Sequence, residues 1–176
     1  MLKINSSEMW VKLIGTFNAY NLVSINLLEF VVEIINYAAV TLLFTNDCSL
    51  CQHKFPLLLN WTDNTSAKTW LRKAATRTNK GKALQRLLCS IMINNPVGIK
   101  ADHIAGSSNI LADVISRVYT TSYSKISFNN IFHEFPQMKS WKRFHPSQEL
   151  LSALYSGLLQ GQDQGLCPPD KLGHFV

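Results

Sequence analysis

The stretch "SINLLEFVVEIINYAAVTLLF", residues 24–44, constrains this chain more than any other. From Leu27 to Phe44 it carries two charges, Glu29 and Glu33, and one amide, Asn36. Its apolar residues surround the helix they would form, so that helix must be covered on most sides. The length suits a membrane span. Each charge near a bilayer centre costs about 2.5–3.5 kcal/mol on insertion scales, which favours the central helix of a soluble core. Glu29 and Glu33 lie at i and i+4 and share one face. A buried carboxylate needs a partner or a cation. Asn26, with Glu29 three residues on, is the expected capping box.

Around this helix the pattern alternates. "MWVKLIGTF", residues 9–17, reads as a strand, and "LLLNWT", 57–62, as a buried strand bounded by polar residues. Ala67, Trp70, Leu71 and Ala74 have helical spacing, as do Leu84, Leu87, Leu88 and Ile91 after a polar break at 76–80. Pro96 closes the second helix. "VGIKADHIAG" reads as a strand ending in a glycine turn, and "SSNILADVISR" as a short helix capped by Ser107 or Ser108. The expected class is α/β, a mixed sheet flanked by helices. Residues 1–118 form that domain. Residues 119–176 read as a connector with one amphipathic helix at roughly 147–159.

A hydrophobic content of 47% excludes wholesale disorder. The net charge is +6, but its distribution says more. Residues 64–101 carry eight basic side chains and no acidic one: Lys68, Arg72, Lys73, Arg77, Lys80, Lys82, Arg86 and Lys100. A solvated helix face normally mixes signs, so a one-sign segment favours contact with phosphates, as in a nucleic-acid backbone. Trp61 and Trp70 are expected in the core, and Trp141 in "KSWKRFHP" is a weaker base-stacking candidate.

The four cysteines, at 48, 51, 89 and 167, form no disulfide framework. Cys48 and Cys51 with His53 have half the spacing of a zinc site, and no second ligand pair follows at a zinc-finger distance. Lys3, Glu8 and Lys12 interrupt any secretory h-region. An intracellular setting, cytoplasm or nucleus, with no membrane partner, is expected.

Asp63 follows a strand end, where open α/β sheets place their chemistry. The competing reading is that Asp63 or Asn64 only caps the next helix. With Glu29 and Asp113 it makes a set of carboxylates that could converge at one sheet edge. Clustered carboxylates repel one another and are kept together mainly to hold hard cations such as Mg²⁺. Beside a basic surface, the natural reaction is metal-assisted phosphodiester hydrolysis.

"SINLLEFVVEIINYAA", "LLLNWTDNTSAKTWL" and "KADHIAGSSNILADVISR", in that order, resemble the ribonuclease H-like domain of retrotransposon polyproteins, in the DIRS-type and gypsy-like form. The resemblance covers residues 9–117, and "HIAGSSNILADVISR" is its most specific part. The tail from Arg143 resembles the connector that follows this domain. The resemblance implies a nuclease that cuts the RNA of RNA–DNA hybrids with two Mg²⁺ (or Mn²⁺) ions held by four carboxylates. Glu29 matches the helix Glu, Asp63 the Asp at the fourth strand's end, and Asp113 the last Asp. His103 matches a position tied to product release and proton handling. Asn64, Lys68, Arg72, Lys73, Arg77, Lys80, Lys82 and Arg86 are the candidates for contacting the hybrid.

The family's bridging first-strand Asp has no match, because the 28 residues before Glu29 contain no Asp. The expectation is therefore a domain truncated before its first strand or strands, with impaired catalysis. The alternatives are missing strands supplied in trans or by an upstream reading frame, with an upstream reverse transcriptase segment as partner, a non-catalytic nucleic-acid-binding or bridging module, and a non-functional remnant.

Overall fold

The computed structural model describes residues 3–4, 23–46, 56–95, 97–110, 143–160 and 169–176, with positions 133, 135, 136 and 139 besides. Its chain is mixed α/β, with helices packed on two small sheets. The elements are β1 (Lys3–Ile4), α1 (Ile25–Asn46), β2 (Leu57–Thr62), α2 (Thr65–Lys73), α3 (Asn79–Asn94), β3 (Gly98–His103), β4 (Arg143–Pro146), α4 (Gln148–Gln160) and β5 (Gly173–Phe175).

The long apolar helix is the centre, as its composition requires. In α1, Phe30, Ile34, Tyr37, Ala38 and Ala39 are completely covered. By length and composition α1 could cross a membrane, yet most of it is enclosed by the protein's own elements. Its start differs from the expected capping box. The amides of Leu27 and Leu28 bond the Ser24 carbonyl at 3.0 and 3.2 Å, so the helix begins at Ile25 and Asn26 sits inside its first turn. Asn26 is used elsewhere, as acceptor for Asn64. A tertiary partner displaced the local cap.

β2 and β3 are parallel, in register from Leu57 opposite Gly98 to Thr62 opposite His103. Parallel neighbours need a crossover, and α2 and α3 provide it. Asn64 caps α2 through its side-chain oxygen, which accepts from the Ser66 and Ala67 amides at 2.9 Å. Ala74 ends α2 in the left-handed region, at φ 48° and ψ 34°. The Thr78 hydroxyl caps α3 on the Gly81 amide, and Leu84, Leu88 and Ile91 are its buried stripe.

One strand expectation is corrected. β2 is half-buried, since it alternates strictly and only one face meets α1. Leu58, Asn60 and Thr62 point inward, while Leu57, Leu59 and Trp61 are 61%, 47% and 52% exposed. Trp61 is thus a surface residue. Trp70 is partly buried and packs against the core, edge-on to Phe30 with ring centroids 5.5 Å apart.

The second sheet runs β1–β4–β5, with β1 parallel to β4 and β5 antiparallel to it. β4 and β5 are too short to read as strands from sequence, and each includes a strand-breaking residue at one end, Pro146 and Gly173. α4 falls where the amphipathic pattern put it. Its Leu150, Leu154 and Leu158 join Phe144 and α1 in one buried cluster, so elements on both sides of residue 118 share a core. The strand expected at 9–17 lies outside the described residues. Of the helix expected at 107–117, only 107–110 are described, beginning with a 3-10 turn over Gly106–Ser108.

Candidate acidic site and basic flank

The inward face of β2 explains how an acidic site is assembled. Asn60 and Thr62 are polar positions two residues apart, so they project together toward α1. There they meet Glu33 and Asn36, which lie three residues apart on one side of that helix. The Asn60 amide donates to Glu33 Oε2, and the Asn36 amide donates to Asn60 Oδ1 at 3.2 Å. The Thr62 hydroxyl also hydrogen-bonds the Glu33 carboxyl, and its oxygen accepts from the Asn64 amide at 3.2 Å. The strand end is thereby fastened to the middle of the helix.

Glu33 is 5% exposed, and burial pushes its carboxyl up to about 7. The bonds from Asn60 and Thr62 pull the other way, and the charges of Glu29 and Asp63 add to the rise. Glu29, one turn earlier and half-buried, is also raised, first by burial and then by the charge of Asp63. Glu29, Glu33 and Asp63 therefore form one mutually repelling acidic group. Asp63 is exposed at the β2 terminus, with Gly106 against it: a Cβ there would stand 3.6 Å from Asp63 Oδ2.

Asp102 was not anticipated. It lies on β3 opposite Trp61, and its Oδ1 accepts from the His103 amide at 2.8 Å and from Lys68 Nζ at 3.0 Å. The His103 amide, then Lys68, hold its carboxyl below the ordinary value. His103 is exposed at the end of β3, in register with Thr62, the residue before Asp63. The turn beyond it is fixed by Ile104, whose amide donates to the Thr62 carbonyl at 3.1 Å.

Three of the sequence candidates, Glu29, Asp63 and His103, thus gather at the C-terminal end of the parallel pair. Asp113 lies outside the described residues. Among the described residues no three His, Cys, Asp or Glu side chains form a ready cage for a metal ion. Glu29 and Asp63 are oxygen donors of the kind a hard cation takes, and their mutual repulsion is of the kind such an ion would relieve. Glu33 is engaged by its amide and hydroxyl partners. It was visible in the sequence only as the residue one turn after Glu29. Asn60 was detectable as a polar residue on the inward phase of an apolar strand.

The basic candidates flank this site on α2, α3 and the turn between them. Arg72, Lys73, Arg77, Lys82 and Arg86 are exposed, and Lys80 is half-buried. Lys68 is committed to Asp102, and Asn64 to capping α2 and to Asn26 Oδ1 at 2.9 Å. No protein-family model, curated protein or solved structure matches the chain.

Proposed function

We propose that the chain is a ribonuclease H-like domain of retroelement type that acts on RNA–DNA hybrids, with weak turnover of its own. The observation that carries this reading is the convergence of Glu29 and Asp63, from two distant sequence motifs, beside the end of a parallel strand pair. Mg²⁺ or Mn²⁺, when bound, would neutralise charge on the scissile phosphate and activate water. Glu29 and Asp63 would hold it, with Asp113 as the third carboxylate. Asn60 and Thr62 engage Glu33 through hydrogen bonds beside that pair. His103, in register with Thr62 at the end of β3, would be the group to serve a proton at the site's rim. Catalytic groups that act as a unit fail as a unit, so three carboxylates without a bridging Asp imply little activity from this chain alone.

A second reading keeps the fold and drops the chemistry, making the chain a module that grips nucleic acid. It is favoured by the exposed cations of α2 and α3, which suit sequence-independent backbone contact.

Cleavage of an end-labelled RNA–DNA hybrid in Mg²⁺ and in Mn²⁺, beside Asp63→Asn, decides between them. Metal-dependent cutting abolished in the variant establishes the nuclease. Hybrid binding without cutting, unchanged by Asp63→Asn, establishes the binding module. A folded chain that neither binds nor cuts sinks both.

A further inference from the structure

At the opposite end of α1 from the acidic pair, the short sheet carries two histidines with no part in the proposed chemistry. His145 on β4 and His174 on β5 are directly opposed partners across an antiparallel ladder. Their imidazoles lie side by side, ring centroids 5.4 Å apart and planes within 19°. His174 is exposed and His145 half-buried, so solvent reaches the pair. The other face of the same two strands is apolar, with Phe144 and Phe175 in contact at 5.3 Å.

We propose that His145 and His174 form a bidentate site for a late first-row transition-metal ion, Cu²⁺, Ni²⁺ or Zn²⁺. Directly opposed residues in such a ladder have Cβ atoms about 4.5–5.5 Å apart, so both rings start from fixed, neighbouring anchors. A metal at about 2.0–2.1 Å from each nitrogen asks the two nitrogens to approach within roughly 3.3 Å in tetrahedral geometry. With ring centroids 5.4 Å apart, rotation about the side-chain bonds is the motion that would bring a nitrogen of each ring to that separation. Imidazole nitrogens suit Cu²⁺, Ni²⁺ and Zn²⁺, and do not suit Mg²⁺, which prefers oxygen. Water fills the remaining positions. The second ring raises affinity because it is already held at high effective concentration beside the first.

Bound metal would clamp β5 to β4. β5 is the last strand, paired through only three residues, and short ladders of this kind are weak without reinforcement. Gly173 and His174 also line a cavity of about 570 Å³, with Leu42, Ile91, Asn95 and Lys171 on its other walls. A metal on His174 therefore fixes one wall of that cavity.

The test is a zinc titration of the full chain followed by the ring carbon–proton signals of its five histidines. The ring signals of His145 and His174 are expected to shift together with one midpoint, while Mg²⁺ moves neither. His145→Gln is expected to raise the zinc midpoint of His174 at least tenfold, and His174→Gln that of His145. An unchanged amide spectrum shows that each variant is folded, and His145→Asn serves if the Gln variant is not. Rings that stay still in a folded chain, or one ring responding equally after removal of the other, overturn the proposal.

Discussion

Asn60 donates to the buried Glu33 carboxyl and, with the Asn36–Asn60 and Thr62–Glu33 bonds, joins the second half of β2 to the middle of α1. These bonds distinguish the acidic site from a helix with a stray glutamate. Without a donor, a carboxyl on the same enclosed helix as Phe30, Ile34 and Tyr37 would be an unsatisfied polar group in the core.

Stability is expected to fall as pH rises from about 4.5 to about 7, because the folded state holds the Glu33 proton more tightly than the unfolded state does. The stabilisation is complete below the unfolded value and disappears through the folded one. A rise of this size amounts to about 3 kcal/mol. Glu29, also raised, adds in the same direction. Glu33→Gln should remove most of the slope, as read by urea denaturation at pH 5, 6, 7 and 8. An unaltered slope in that variant would place the titration elsewhere.

Asn64 does two jobs, capping α2 and donating to Asn26. Asn64→Ala is expected to cost about 0.5–2 kcal/mol, the usual range for removal of a cap. Asn64→Asp keeps the cap oxygen and gives up the donor, so its cost should be smaller. Equal destabilisation in the two variants, measured by chemical denaturation, would mean that the bond to Asn26 is the one that counts.

The Asp102 carboxyl owes its low pKa first to the His103 amide and then to Lys68. Lys68→Met should therefore raise it only part of the way toward the ordinary value, with little effect on folding, as befits an exposed ion pair. A carboxyl-carbon NMR titration reads this directly. Full recovery of the ordinary value would make Lys68 the dominant partner.

Hybrid binding should weaken steeply with salt. Replacing Arg72, Lys73, Arg77 or Lys82 by Ala should reduce the slope of log affinity against log salt by about one for each phosphate that the protein no longer neutralises. Lys68→Met should change it less, since Lys68 is held by Asp102. A slope indifferent to all four exposed cations would remove α2 and α3 from the interface.

The sequence by itself determined that residues 24–44 form a central helix, observed at Ile25–Asn46, because an all-round apolar surface has nowhere else to go. It also determined the strand–helix order from β2 to β3 and the position of α4, since periodicity and turn residues are local signals. It named Glu29 and Asp63 as partners, although they are 34 residues apart in the chain. Only the tertiary structure decided which face of β2 is buried. In "LLLNWT" the wholly apolar phase is Leu57, Leu59 and Trp61, yet the buried phase is the one carrying Leu58, Asn60 and Thr62, whose hydrogen bonds α1 could satisfy. The same packing decided that Asn26 serves Asn64 and not its own helix start. β4 and β5 were likewise illegible: strands of four and three residues draw their stability from pairing and from Phe144 in the core, and neither is written in local pattern.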